Sequence, residues 1–163
     1  PHRSDLPTLL PYVREARRAS SLPVTTADDY EYWIRPESRQ LAAELDFVMT
    51  HIHPLLNGQS LDDALAWTQR IHAEVAAMHP GVPIVIGESG WATDKRSDGE
   101  QARRIRGTTG EAEQARFFAD YNRWIDRERI PSFWFEVFDE NWKGSDHPNE
   151  VEKHWGLFRA DRS

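Results

Sequence analysis

Cysteine is absent from the 163 residues, so neither a disulfide nor thiol chemistry is available, and cysteine usage leaves the redox compartment open. No apolar run is long enough to span a bilayer. Positive charge is also in deficit: 20 Lys and Arg stand against 27 Asp and Glu, a formal net charge of −7. A chain this acidic is poorly suited to a phosphate backbone or an anionic lipid face. Its one basic cluster, Arg14, Arg17 and Arg18, is short and at helical spacing, and reads as a solvated face. No export leader is legible ahead of Pro1-His2-Arg3. The chain starts so abruptly that this absence carries little weight. The expectation on balance is a periplasmic or extracellular place of bacterial type.

What is present is a soluble composition, 39% apolar and 29% charged, in a length that suits one compact domain. Seven Trp, seven Phe and four Tyr are many for that length. Such rings fill cores, and near polar clusters they also stack on the flat faces of sugars. Helical and short apolar segments alternate, the pattern of βα units and a parallel sheet. Leu6, Leu9, Leu10, Val13 and Ala16 mark a first helix with Pro11 expected in its first turn. Strands follow at Leu22–Asp28, Leu45–His53, Gly81–Glu88 and Ile130–Phe138. Between them lie a short helix at Pro36–Ala43, a helix opened by Ser60 with Asp62 and Asp63, and a third opened by Thr108-x-x-Glu111 in capping-box spacing. Phe118, Tyr121 and Ile125 share a face of that third helix. Thr93–Thr109 reads as a polar loop. The count is four strands and four helices, in a single domain over residues 1–163.

In parallel α/β folds the reactive groups gather at the carboxyl ends of strands. All four strands here end in ionisable residues: Asp28; His51 and His53; Glu88; then Glu136, Asp139 and Glu140. A carboxylate at a buried strand end must have its desolvation offset, so stability alone does not ask for four such ends in a row. That pattern points to a site. Gly87-Glu88-Ser89-Gly90-Trp91 is its most specific element, a glutamate between glycines beside a ring that can meet a sugar. Trp134 and Trp142 also sit at strand ends and suit carbohydrate contact, whereas Trp67 and Trp124 on helices suit packing. His51-x-His53 with Asp28 and Glu88 admits a metal site, but the spacing is weak and no metal is expected. No motif implies a cofactor.

The motif at Glu88 resembles glycoside hydrolase family 17, the β-1,3-glucan hydrolases and transglucosylases, whose nucleophile lies in Gly-Glu-Ser-Gly-Trp-Pro after the seventh barrel strand. Here Ala92 replaces the proline. The resemblance extends along the chain. Pro23–Asp28 looks like the fifth strand and Asp46–Pro54 like the sixth. Phe135-Glu136-Val137-Phe138-Asp139-Glu140-Asn141-Trp142-Lys143 is similar to the eighth-strand motif, and Glu152 precedes a Trp155-Gly156-Leu157-Phe158 that matches the family's final one. After His53-Pro54, where the family places an aromatic, the chain has Leu55-Leu56-Asn57-Gly58.

This resemblance implies a half (β/α)₈ barrel, strands five to eight, since a complete barrel needs about 250 residues. It implies Glu88 as nucleophile, Glu140, Lys143 and Glu152 as its charged support, and Asp28, His53, Trp91, Glu136 and Trp142 as contacts to a β-glucan oligosaccharide. A lysine among the acids would favour their ionised forms. The family is retaining, with two carboxyl groups about 5–5.5 Å apart. Its acid/base lies in a Gly-Asn-Glu motif shortly before an Arg-x-Asp-Leu stretch that Arg3-Ser4-Asp5-Leu6 resembles, so that glutamate would fall upstream of Pro1. Weak or absent activity of this chain alone follows, with closure of the barrel by a homodimer. The competing expectation is a carbohydrate-binding or purely structural half barrel that keeps the motif without catalysis.

Overall fold

In the computed structural model, which describes residues 5–163, helix α1 (Leu6–Ala19) begins where the Asp5 carboxylate accepts from the Thr8 amide at 2.7 Å. Capping by Asp5 starts the helix well ahead of Pro11. Pro7 therefore occupies the first turn and Pro11 lies inside the helix, contrary to the sequence expectation. Arg3 and Ser4 of the Arg3-Ser4-Asp5-Leu6 stretch lie outside the described residues. Strand β1 (Ala27–Asp29) is shorter than expected. Ahead of it, side chains take over the backbone's hydrogen bonding: the Val24 amide donates to the Asp46 carboxylate (2.7 Å), and the Thr25 hydroxyl to the Phe47 carbonyl (2.6 Å).

Helix α2 (Tyr30–Trp33), not foreseen, and helix α3 (Ser38–Ala42) lead into β2 (Val48–His51). Helix α4 (Leu61–Met78) is capped as expected, with the Asp63 amide donating to the Ser60 hydroxyl at 3.2 Å. Of the apolar repeat Leu61, Ala64, Leu65, Ile71, Val75 and Met78 that the sequence offers for its inner face, it buries Ala64, Ile71 and Val75. Strand β3 (Ile84–Ser89) follows, then α5 (Gly99–Arg104), a helix inside what reads as a polar loop. Helix α6 (Glu111–Glu128) starts after Gly110, which makes no side-chain cap bond, so the Thr108 capping box is not formed. Its buried face is Gln114, Phe117, Tyr121 and Trp124, which keeps Tyr121 from the face expected but has Phe117 and Trp124 in place of Phe118 and Ile125. Strand β4 (Ser132–Trp134) and a 3₁₀ turn (Val151–Lys153) complete the elements. Six α-helices thus stand among the described residues where four were expected.

The fold is α/β with a parallel four-stranded sheet, ordered β1-β2-β3-β4. Ala27, Asp28 and Asp29 pair in parallel with Met49, Thr50 and His51. Chain contacts divide the residues into two compact units. The first runs to Ile52 and adds Gln69–Gly87 and Ile130–Ser132. Its core packs Val13, Trp33, Leu41, Leu45, Val48 and Val75 together. On its surface Arg14 pairs with Glu44 (2.7 Å) and Arg17 with Asp46 (2.9 Å), so the basic cluster is balanced by acids. The second unit comprises His53–Thr68, Glu88–Arg129 and Phe133–Ser163. Among the described residues no helix is long and apolar enough to cross a membrane.

Candidate active site

Eight of the nine candidate residues fall within the second unit. The exception, Asp28, belongs to the first, where it is buried and its carboxylate accepts from the Asp29 amide at 2.8 Å. Glu88 is placed by backbone, near the end of β3. The next carbonyl, of Ser89, accepts from the Phe135 amide at 2.9 Å, which ties the end of β3 to the chain leaving β4. Glycine at position 90 permits that approach: a Cβ there would overlap the Phe135 carbonyl oxygen. A carboxylate held on tied strands loses little further freedom when it engages a ligand.

The Glu88 side chain is 33% exposed, enough to meet a substrate, and its Oε2 lies 3.1 Å from His53 Nε2. A carboxylate only accepts, so Nε2 carries the hydrogen and donates. His53 itself is nearly buried, its ring edge-on between Phe135 (5.5 Å) and Trp155 (5.3 Å). Its Nδ1 is buried and finds no partner among the described residues. The two aromatic walls fix the ring, and the ring in turn fixes one oxygen of Glu88.

Lys143 forms the second anchor. Its ammonium lies 2.7 Å from Glu136 and 2.5 Å from Glu140, over the Phe135 ring at 4.5 Å. Burial pulls the ammonium's pKa down, but the hydrogen bonds and charges of the two glutamates outweigh it, and Lys143 titrates above its ordinary value. Lys143 pulls Glu136 and Glu152 toward their ionised forms, as expected, but burial opposes it and outweighs it. Burial raises Glu136 above the usual carboxylate range despite Lys143, with Glu140 adding to the rise. Glu152 is likewise raised by burial, against the pull of His53 and Lys143 and with the repulsion of Glu150 and Glu88. Desolvation wins because both carboxyls lie under packed side chains rather than in water. Glu152 thereby stands within electrostatic reach of Glu88.

Of the tryptophans, Trp142 is 77% exposed beside Lys143, a free ring face at the rim of the charged cluster. Trp91 is fully buried, packs on Phe117 and donates its indole N–H to the Thr108 carbonyl at 3.0 Å. It has no face to offer a sugar, contrary to the sequence expectation, because the chain turns inward directly after Gly90. Trp134 likewise packs against Phe117, Phe118 and Tyr121. Among the described residues no group of three His, Asp or Glu side chains is arranged to hold a metal ion. Sequence reasoning missed the anchoring of Thr93–Arg106: the Lys95 ammonium donates to the Ile105 carbonyl (2.6 Å), and Asn149 to the Asp94 carboxylate (2.7 Å). The paired polar residues at 94, 101, 149 and 150 were the available signal, but nothing local pairs them.

A partly exposed carboxylate, fixed by an imidazole donor and backed by a lysine-bridged acid pair, can act as a nucleophile toward an electrophilic carbon. The model of the BtgE/BtgC glycoside hydrolase domain matches residues 2–156. The chain is 31% identical over 154 residues to an Aspergillus niger protein named as a glucan endo-1,3-β-glucosidase, covering 87% of this chain and 22% of that protein. A Schizosaccharomyces pombe glucan 1,3-β-glucosidase is 31% identical over 150 residues, covering 87% and 44%. The chain thus spans less than half the length of these curated relatives. Among solved structures, the family 17 β-1,3-glucanosyltransferase of Rhizomucor miehei superposes with a TM-score of 0.83 at 23% identity, over 98% of this chain and 56% of that one. An active-site mutant of the same enzyme, in complex with laminaritriose, gives 0.81 at 23% identity over the same shares.

Proposed function

The chain belongs to the BtgE/BtgC glycoside hydrolase domain family, and from that premise we propose that residues 1–163 are one half-barrel domain acting on β-1,3-glucan by a retaining mechanism with Glu88 as nucleophile. The observation that carries this reading is the Glu88 carboxylate itself, partly exposed on a tied strand end with the His53 N–H on one oxygen. The free oxygen attacks the anomeric carbon; the glycosyl–oxygen bond to the leaving sugar breaks, and a glycosyl-enzyme forms. Water then releases a hydrolysis product, or a second sugar hydroxyl gives transfer. Lys143, with Glu140 and Glu152, keeps charge around the nucleophile in balance. Glu136 and Trp142 supply a polar contact and a stacking face for glucose units. The laminaritriose complex of the Rhizomucor miehei mutant supports a laminari-oligosaccharide as ligand.

The sequence contains no Gly-Asn-Glu, and we place the acid/base carboxyl outside these 163 residues. Incubation of the chain alone with laminari-oligosaccharides is expected to give slow turnover or none, with binding detectable by calorimetry. Any product retains the β-anomer when followed by NMR at early time. An initial α-anomer would show inversion and refute the mechanism; neither binding nor turnover would refute the glucan reading.

Completion of the sheet is the second part of the proposal. β1 and β4 are its outer strands. Around β4, Phe133 is 60% exposed, and Val137, Phe138 and Phe158 also reach solvent. Apolar side chains beside an outer strand favour further strand pairing. A second copy meeting the first about a two-fold axis supplies it. Light scattering at micromolar concentration is expected to give twice the chain mass. A soluble monomer under those conditions would rule out closure by self-association.

A further inference from the structure

Within the second unit, the segment after β3 is stapled to the segment that carries Glu152 at three places. The Thr93 amide donates to the His154 carbonyl at 2.8 Å, and Asn149 donates to the Asp94 carboxylate at 2.7 Å. The third staple is Gln101, on α5. Its Oε1 accepts from the Arg96 amide (2.9 Å) and the Val151 amide (3.2 Å), and its Nε2 donates to the Glu150 carboxylate. Both ends of one amide are therefore spent on the residues just before Glu152. Glu150 is held further by the Ser145 hydroxyl at 2.9 Å. Its close fit requires glycine at 144, where φ is 69° and a Cβ would overlap the Glu150 side chain. Val151, the first residue of the 3₁₀ turn, is buried. With Glu150 and Val151 both fixed, the next residue has little freedom.

We propose that Gln101 is a positioning residue that, by clamping Glu150 and Val151, sets where the adjoining Glu152 carboxyl stands. The inference rests on the reading of Glu88 as nucleophile, but its geometric part is separable. Gln101 acts on Glu152 indirectly, through the Glu150 carboxylate and the Val151 backbone amide. No hydrophobic pattern marks it, and it lies in the stretch that reads from sequence as a loop. Glu152 interacts electrostatically with His53, Lys143, Glu150 and Glu88, so a displacement of its carboxyl changes the field at the nucleophile. Misplacement of a supporting group by about an ångström costs up to about a hundredfold in rate.

The test uses Gln101→Ala, Gln101→Glu, Glu150→Gln and the swap Gln101→Glu/Glu150→Gln. The first removes the clamp. The second sets one carboxylate against another. The swap restores a carboxylate facing an amide with direction reversed, and still leaves an oxygen for the two backbone amides. The Glu152 titration is followed by NMR of carboxyl-labelled protein, and kcat and KM are measured on an aryl β-laminaribioside whose leaving group needs no proton. Gln101→Ala is expected to lower the Glu152 pKa, because the carboxyl gains water, and to reduce kcat on the order of tenfold with KM within about twofold. Gln101→Glu goes further, and the swap recovers both readouts.

A variant that melts lower yet leaves the Glu152 titration and kcat unchanged would make Gln101 a stabilising residue only and overturn the proposal. Failure of the swap to recover what Gln101→Glu loses would do the same. Should Gln101→Ala fail to fold, the comparison of Gln101→Glu with the swap decides. If Glu88→Gln leaves turnover intact, the nucleophile reading fails, while the Glu152 titration still decides the role of Gln101.

Discussion

Replacing Glu88 with glutamine is expected to abolish turnover of an activated substrate, on the order of a thousandfold or more in kcat, with KM little changed. The choice of substrate matters. On the proposal that the acid/base lies outside these residues, departure of an ordinary sugar is expected to be slow for a reason unrelated to Glu88. An aryl or fluoride leaving group departs without a proton, so its rate reports the attacking carboxylate alone. Glutamine preserves the shape and keeps an oxygen for the His53 N–H, now 3.1 Å from Glu88 Oε2. Packing and binding therefore survive, and the lost quantity is nucleophilicity. A 2-deoxy-2-fluoro glucosyl fluoride checks the same point by mass: its slowed second step leaves a glycosyl adduct on the wild-type chain, and the modified peptide contains Glu88. An adduct on Glu136, Glu140 or Glu152 instead, or full turnover by Glu88→Gln, would move the nucleophile elsewhere.

The parts of this molecule legible in its sequence share one property: their signal is local. Strand β3 stands out because Ile84, Val85 and Ile86 form an apolar run that ends at Gly87 and Glu88. Helix α4 is legible because Ser60 and Asp63 cap it three residues apart and its apolar stripe repeats. The motifs around Glu88 and Lys143 carried the family resemblance and gave Glu140, Lys143 and Glu152 as one expected charged cluster; in the structure the Lys143 ammonium pairs with Glu136 and Glu140.

What was not legible depends on distant contacts. Trp91 stands at a strand end, where a ring can face substrate or core. Its burial is settled by Phe117 and by the Thr108 carbonyl, 17 residues onward. The face of α6 was misjudged because Gln114 counts as polar, yet in the fold its amide donates to the Trp91 carbonyl at 2.8 Å and is buried. Helix α5 was missed because Gly99, Arg103 and Arg104 give no apolar stripe; no residue of it is buried, and Gln101 is held by partners from Arg96 and from 49 and 50 residues onward. The pull of Lys143 on the acids near it was legible because charge is visible in a sequence; the opposing desolvation was not. The raised pKa values of Glu136 and Glu152 come first from burial, which only packing defines.

The second large effect concerns Trp155, which supports the site without touching a substrate. Its side chain is fully buried, with the ring 5.3 Å from His53 and 5.9 Å from Phe135. Trp155→Ala removes the largest wall of this cluster and is expected to cost about 3–5 kcal/mol by urea denaturation, a large share of a typical total of about 5–15 kcal/mol. The backbone bond from the Glu136 amide to the Trp155 carbonyl, 3.1 Å, does not depend on the side chain, so the loss is one of packing. Trp155→Phe separates two effects of opposite sign. It leaves a smaller cavity, and it deletes an indole N–H that finds no acceptor among the described residues; an unpaired buried donor costs about 1–3 kcal/mol. The phenylalanine variant is therefore expected to lose less than half of what the alanine variant loses. The site should respond as well. Without its second wall the His53 ring is free to turn, and its hold on Glu88 loosens. Under conditions where Trp155→Ala remains folded, its kcat on the activated substrate should fall while Trp155→Phe stays near wild type. If the alanine variant loses under about 1 kcal/mol, or if both variants lose equally, the cluster around His53 is not held by this ring, and the rigidity argued for Glu88 must come from the strand alone.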